Sequence, residues 1–224
     1  MGQYYRPTFI SEGGSISSLY SRDFGNGQKL MEHSYIGNHF VNAALCLLEG
    51  NPLRVAWIGD YANNPYDPAE DAYAKALPKD EFMRYYETVW GEKEQAPLPP
   101  SLFDKKKLAH ICTKRTARKL IINHTKKQYI HLGDYIAQNM YSEKGGWVNG
   151  RYDASSISTW CVHPLPLLTA CGNDRGGGDY HANHPGYGDV GIWAFDLLEF
   201  TSTAPKDYVA VSYGFTEKSK GTAS

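Results

Sequence analysis

The order of helix-like and strand-like segments constrains the fold of this chain more than any other feature of its sequence. Apolar residues at helical spacing lie before residue 110, in HFVNAALCLLEGN, DPAEDAYAKAL and KDEFMRYYETVW. Apolar runs typical of strands dominate after it, and QYYRPTFI-SEGG-SISSLY at the start is typical of a hairpin. Helices concentrated in the first half, followed by consecutive strands, predict an α+β fold with a mostly antiparallel sheet.

Local signals predict several individual elements. Asn38 is a predicted N-cap and Gly50 a predicted stop for a buried helix between them. RVAWIGDYA is predicted as a strand, RKLIINHTKKQYIHL as a hairpin turning at 123–127, and GDYIAQNMY as a short helix. TWCVHPLPLLTA, VGIWAFDLLEF and DYVAVSYGF are predicted as the final strands, the last two as antiparallel partners.

The chain length of 224 residues favours a single α+β domain over 1–224. The proline-rich stretch near 95–101 is the alternative domain break, and residues 218–224 are a predicted frayed tail. No run approaches the roughly 18 apolar residues of a membrane span, and the first residues lack a signal peptide, so we expect a cytoplasmic protein without membrane contact. Four cysteines without a CxxC pair fit reduced thiols: Cys46, Cys112, Cys161 and Cys171.

The segment CGNDRGGGDYHANHPGYGDVG, at 171–191, is the strongest candidate for a functional site. Successive glycines let backbone N–H groups converge on an anion, and a neighbouring guanidinium adds a forked donor. The predicted ligand-binding residues here are Asn173, Arg175, Gly176, Gly177 and Gly178. The predicted acid–base residues are Asp174, Asp179 and His181. The alternative is a solvent-exposed loop whose glycines only make tight turns.

Other polar residues are candidates for the same site. Glu32 and His33, in the glycine-containing stretch at 23–40, and Asp60, at a strand end, are predicted as further ligand-binding residues. Their structural alternative is a set of turns with His33 packed in the core. No G-x-G-x-x-G or G-x-x-x-x-G-K-[ST] pattern is present, so no cofactor is assigned.

A metal site is a further hypothesis. Cys161, His163, His181 and His184 are N and S donors of the kind that zinc accepts, with Cys171 between them. A second version uses Asp174 and Asp179 with the histidines. Packed or surface histidines are the preferred interpretation, because this spacing matches no familiar zinc motif, so no metal is assigned.

Charge is segregated along the chain although the net charge is only −1. Residues 105–133 hold nine Lys or Arg and no acidic residue. A solvated helix face and hairpin tip would explain this stretch. The alternative is a basic surface over 105–127 that binds nucleic acid or an acidic partner protein.

Several motifs together resemble an uncharacterised family from gut bacteria and their phages or mobile elements: QYY-P, GNG-KLMEHSYIGN-FVNA, NHTKK-YI, HPLPLLT and GN-RGGGDY. The resemblance covers most of the chain and implies one domain with an accessory role, such as modulating a host enzyme or a nucleotide signal. The residues themselves favour binding of a small anionic, phosphate-bearing ligand such as a nucleotide, and they leave open whether the ligand is also turned over by hydrolysis or transfer. The alternative is a non-catalytic accessory protein that binds a host protein or nucleic acid through its basic and tyrosine-rich surface.

Overall fold

The computed structural model describes residues 2–62, 77–91, 93–104, 118–148, 151–172 and 178–215. The strands are β1 Tyr5–Ile10, β2 Ile16–Ser18, β3 Leu53–Gly59, β4 Leu120–Asn123, β5 Gln128–His131, β6 Tyr141–Val148, β7 Arg151–Trp160, β8 Ala170–Cys171, β9 Leu197–Thr201 and β10 Val209–Ala210. The helices are α1 Leu30–His33, α2 His39–Leu48, α3 Lys79–Trp90, α4 Leu132–Asn139 and α5 Pro164–Leu168. Eight strands form one sheet in the order β10-β5-β4-β9-β3-β1-β2, with β8 beside the second half of β3, and β6 pairs with β7.

The α+β fold with a mostly antiparallel sheet is confirmed. Within the described residues only β5·β10 and β3·β8 are parallel pairs. Three of the five described helices precede residue 91, as the clustering of helical patterns predicts. None of the helices in the described part of the chain combines the length and the apolar character that a membrane span needs.

Strand β3 lies at the centre of the molecule and is buried on both faces. Val55 and Trp57 face a core that includes α2, while Ala56 and Ile58 face a second core that includes α3. This arrangement explains why the strand is a continuous apolar run and not an alternating one, as is typical of a strand covered on both sides. The two helices therefore lie on opposite faces of the sheet.

Helix α2 forms where its capping residues predict. The Asn38 side-chain oxygen accepts a hydrogen bond from the Phe40 N–H at 2.9 Å, and Gly50 takes a left-handed φ of 64° just after the helix. The helix buries most of its apolar positions completely, Phe40 and Leu45 among them, while Cys46 and Leu47 are partly buried. The hairpin β4–β5 and helices α3 and α4 also match their predictions, whereas the helix predicted at DPAEDAYAKAL lies outside the described residues except for its last residue, Leu77.

Removal of the α2 cap tests this local account. Asn38→Ala is expected to lower the free energy of unfolding by about 1–2 kcal/mol, because a helix N–H loses its acceptor. Asn38 also donates a hydrogen bond of 2.7 Å to Asn26, so Asn38→Asp is the matched control: it keeps the cap oxygen and removes this donor. Urea unfolding followed by circular dichroism should show a smaller loss for Asn38→Asp. Equal losses would contradict a capping role.

The strand predicted at TWCVHPLPLLTA is wrong in its middle. Strand β7 ends at Trp160, helix α5 covers Pro164–Leu168, and only Ala170–Cys171 returns to the sheet. The helix starts because the His163 side chain accepts a hydrogen bond from the Leu165 N–H and because proline is favoured in a first helical turn. A short, fully buried apolar run has no periodicity that separates a helix from a strand, which accounts for the error.

The predicted pairing of the last two strands is also wrong. Strand β9 starts only at Leu197 and pairs with β3 and β4, while β10 is two residues long and runs parallel to β5. Residues 191–195 form a turn in which Phe195 has a φ of 64°. The Phe195 N–H and the Asp196 carbonyl both bond to Val55 of β3, so tertiary contacts stabilise a turn that an apolar sequence does not signal.

Candidate functional site

A cavity of about 460 Å³ lies where the segment after β8 meets the base of the β6–β7 hairpin. Its volume is in the range of small-molecule sites, about 300–1,000 Å³. One side is formed by Met31, Tyr35, Tyr141, Trp160 and Val162. The other side is formed by Gly178, Asp179, Tyr180, His181, His184, Pro185 and Phe215. The described end of the glycine-rich segment therefore lines a cavity.

An aromatic wall forms the first side. Tyr141 begins β6 and Trp160 ends β7, and the two residues are direct partners in the antiparallel ladder. Their ring centroids are 5.0 Å apart, and Tyr35 meets the Trp160 ring edge-on at 5.9 Å. Trp160 keeps 37% of its surface exposed, so its ring is accessible from solvent. Burial raises the pKa of Tyr35 above its ordinary value, so its hydroxyl stays protonated at neutral pH.

The opposite side is held in place by Tyr180. Its hydroxyl donates to the Pro185 carbonyl oxygen at 2.5 Å and to the Phe215 carbonyl oxygen at 2.6 Å. Its ring packs against His184 at 4.9 Å and against Phe215 at 5.8 Å. Because Tyr180 itself is buried, these contacts position the turn at 181–185 and the 213–215 segment as one rigid wall.

Ionisable groups line this second side. Asp179 is buried, His181 is half-buried and His184 is exposed. The two imidazole rings stack at 6.3 Å, and the His184 N–H donates a hydrogen bond to the His181 carbonyl. Carboxylates and imidazoles are the side-chain types that most often serve as general acids and bases. The cavity thus combines a flat apolar wall with acid–base side chains.

No protein-family model, no curated protein and no solved structure matches the chain. The functional assignment therefore depends on the cavity and its side chains.

The centre of the predicted anion loop lies outside the described residues: Asn173, Asp174, Arg175, Gly176 and Gly177. Both flanking glycines are described, and both need the absence of a Cβ. A Cβ on Gly172 would lie 2.4 Å from the Tyr5 hydroxyl oxygen, and one on Gly178, whose φ is 96°, would lie 2.6 Å from the Lys29 side chain. The Gly178 carbonyl also accepts a hydrogen bond from the Met31 N–H at 2.9 Å. The loop therefore starts and ends against the N-terminal part of the chain.

Asp60 and Glu32 lie near the ends of this loop and do not line the cavity. Asp60 follows β3, whose end runs beside Cys171 of β8, one residue before Gly172. Its carboxylate accepts a hydrogen bond from the Tyr4 N–H at 2.9 Å, and burial raises its pKa. Glu32 is exposed and accepts a hydrogen bond from the Lys29 N–H at 3.0 Å. Both carboxylates therefore accept hydrogen bonds from backbone N–H groups of the protein.

His33 belongs to the core. Its Nδ1 donates a hydrogen bond to the Gly27 carbonyl, and its Nε2 accepts one from the Trp57 indole, each at 3.2 Å. Burial lowers its pKa to about 4, so the ring is neutral at physiological pH. With both ring nitrogens bonded to protein groups, His33 takes the structural role that was the alternative to ligand binding.

The four proposed zinc donors do not converge. The Nδ1 atom of His163 caps α5, and burial lowers the pKa of His163 to about 3. Burial raises the pKa of the Cys161 thiol to about 12, which disfavours the thiolate that zinc needs. His181 and His184 face the cavity instead. Among the described residues no three His, Cys, Asp or Glu side chains form a group suited to a metal ion.

The described lysines of the basic stretch are paired with acidic residues. Residues 105–117 lie outside the described part of the chain. After them, Lys119 pairs with Glu49, Lys126 with Asp196, and Lys127 with Asp207. The excess positive charge that the sequence displays at 118–127 is therefore largely compensated by acidic residues from other parts of the chain.

Tyr141 and Trp160, the paired residues of the aromatic wall, were not among the predicted site residues. A signal for them exists: Asn149-Gly150 separates β6 from β7, and Asn-Gly between strand-like segments is the strongest short-range hairpin signal. A regular ladder from that turn would pair Tyr141 with Ser158, and the register shift between Lys144 and Gly146 makes Trp160 its partner instead. Recognition of the hairpin would not have shown that Tyr180 and the histidines face them.

Proposed function

We propose that this protein binds a small phosphate-bearing ligand with a flat ring, such as a nucleotide, in the cavity between the β6–β7 base and residues 178–185. The observation that carries the proposal is that the end of the glycine-rich segment and an exposed aromatic wall share one cavity of about 460 Å³. A ring and an anion attached to each other would meet both features. The cytosol is the proposed location, since the four cysteines of the sequence are widely spaced and include no CxxC pair.

The aromatic wall is the proposed site for the ring. Trp160 and Tyr141 offer faces on which a planar base can stack, and stacking of a base on an aromatic side chain contributes about 1–3 kcal/mol. The Tyr35 ring lies edge-on against Trp160. The ring of the ligand would therefore have one preferred side on which to stack. A ligand with an unsaturated ring should therefore bind more tightly than phosphate alone.

The glycine-rich segment is the proposed site for the phosphate. Gly178 and the preceding Gly177 would present backbone amides to the anion. Arg175, three residues before Gly178, would add a guanidinium. Asp179 and His181, and Asp174 from the sequence, would supply acid–base groups if the bound ligand is turned over.

Calorimetric titration with a graded set of ligands tests the proposal. The expected order of affinity is nucleoside monophosphate first, then nucleoside, then ribose 5-phosphate and inorganic phosphate, because only the first contacts both walls. Trp160→Ala is expected to weaken nucleotide binding roughly 5- to 100-fold through lost stacking. Arg175→Ala should weaken binding of the nucleotide but not of the nucleoside, with little change in melting temperature.

Tyr61→Ala is the matched control, since Tyr61 is similarly exposed and lies outside the cavity lining. It should bind like the wild type. Absence of binding by every ligand would contradict the proposal and favour the partner-binding alternative. In that case substitution of Lys105–Lys107 and Arg115 should abolish association with nucleic acid or an acidic protein. Chromatography of the nucleotide after incubation shows whether it is turned over.

A further inference from the structure

Three side chains far apart in sequence form a hydrogen-bonded chain on the surface of the sheet, and none of them lines the cavity. The Tyr208 hydroxyl lies 3.0 Å from Nδ1 of His124, and Nε2 of His124 lies 2.9 Å from Oε2 of Glu199. His124 follows β4, Glu199 lies in β9 and Tyr208 precedes β10. Three parts of one sheet, the end of β4, the middle of β9 and the start of β10, thus bring an imidazole, a carboxylate and a phenol together.

The carboxylate determines which ring nitrogen carries the proton. An ionised Glu199 only accepts hydrogen bonds, so Nε2 of His124 is the protonated nitrogen and Nδ1 has the lone pair. That lone pair accepts the hydrogen bond from the Tyr208 hydroxyl. A nucleophile bonded to a base that a third group orients is the general arrangement of an activated nucleophile.

The backbone around His124 is rigidly held. Its N–H donates to the Leu197 carbonyl at 2.8 Å, and the Leu197 N–H donates to the Thr125 hydroxyl at 2.9 Å. The Tyr208 N–H closes a turn onto the Pro205 carbonyl, and the next residue, Val209, bonds to the Lys127 carbonyl. Backbone hydrogen bonds of the sheet and its turns therefore position His124 and Tyr208.

A salt bridge involves the residue before Tyr208. Lys127 pairs with Asp207, the residue before Tyr208, at 2.8 Å. The pKa of Lys127 is raised, first by this hydrogen bond and to a smaller extent by the charge of Tyr208. His124, Glu199 and Tyr208 are all partly exposed, so an electrophile can approach from solvent.

We propose that Tyr208 is a nucleophile for phosphoryl groups, with His124 as its general base and Glu199 as the residue that positions His124. In the reaction the Tyr208 oxygen attacks phosphorus, the new O–P bond forms, and the bond to the leaving group breaks. The leaving group departs with the bonding electrons, and the phenolic proton moves to Nδ1 of His124. The product is a phosphotyrosyl linkage at Tyr208.

An alkyl fluorophosphonate probe tests this site, with fluoride as its leaving group. Peptide mass spectrometry of the full chain should show labelling of Tyr208 about 100-fold faster than labelling of Tyr4 or Tyr61, the size of a typical general-base effect. These two tyrosines are internal controls, because they are 41% and 39% exposed. Tyr208→Phe should remove the fast label.

Variants of the other two residues separate chemistry from structure. His124→Gly should lower the rate at Tyr208 to that of the control tyrosines, and added imidazole should restore it, which a purely structural role would not allow. Glu199→Gln should slow labelling while Glu199→Asp retains most of it, at unchanged melting temperature. If His124→Gly does not fold, Glu199→Gln and the internal control tyrosines still test the proposal. Labelling of Tyr208 no faster than of Tyr4, or labelling indifferent to these substitutions in folded protein, overturns the proposal.

Discussion

Trp57→Ala is expected to lower the free energy of unfolding by about 3–5 kcal/mol, the range for deletion of a buried indole. Trp57 is fully buried in the centre of β3, where its ring meets Phe40 of α2 at 6.4 Å. Its indole N–H donates to Nε2 of His33, so the substitution also leaves a buried acceptor unpaired. Urea unfolding followed by circular dichroism measures the loss.

Two further variants, Trp57→Phe and Trp160→Ala, make this test more specific. Trp57→Phe fills most of the space and removes the hydrogen bond, so it should cost about 1–3 kcal/mol. It remains measurable if Trp57→Ala does not fold. Trp160→Ala removes a side chain of the same type from a partly exposed position and should cost much less stability. A similar loss for Trp57→Ala and Trp160→Ala would contradict the central place of β3 in the core.

Acidification from pH 7 to pH 5 is expected to lower the free energy of unfolding by about 2 kcal/mol for each of two buried histidines. Burial lowers the pKa of His33 to about 4 and that of His163 to about 3, from an ordinary value of 6.5. Between these values the unfolded chain binds protons that the folded chain does not. Stability is therefore retained above pH 6.5 and falls progressively as the pH drops towards 4.

His163→Asn is the variant that isolates one histidine. Asparagine is a preferred N-cap and can keep the acceptor for the Leu165 N–H, while it removes the titrating ring. Its stability at pH 7.5 should therefore be close to that of the wild type, and its loss on acidification should be smaller by about 2 kcal/mol. Denaturant unfolding at a series of pH values provides the measurement. An unchanged pH dependence would show that His163 is not a buried neutral group.

Elements with strong local signals could be predicted from the sequence. Asn38 and Gly50 delimit α2, and polar turn residues separate β4 from β5, because capping and turn preferences act over a few residues. The apolar stretches at 161–171 and 190–196 could not be assigned, since uniform burial leaves no period to detect. There His163 and the bonds from Phe195 and Asp196 to Val55 decide the local structure.

The candidate site was predictable only in part. The composition of 171–191 pointed to a functional segment, and its described end lines the cavity. His33 had the residue type of a ligand group and was placed in the core by its bonds to Trp57 and Gly27. The aromatic wall depends on the β6–β7 register, which pairs Tyr141 with Trp160 across the hairpin.

The sequence by itself determined the α+β class, most helices and hairpins, and a glycine-rich segment unsuited to a core, because these follow from local propensity and periodicity. Only the tertiary structure decided which distant side chains meet, as in the cavity and in the chain from Tyr208 through His124 to Glu199. Such meetings depend on strand order and register over separations of about 75 residues and more, as between His124 and Glu199. No local pattern in the sequence encodes them.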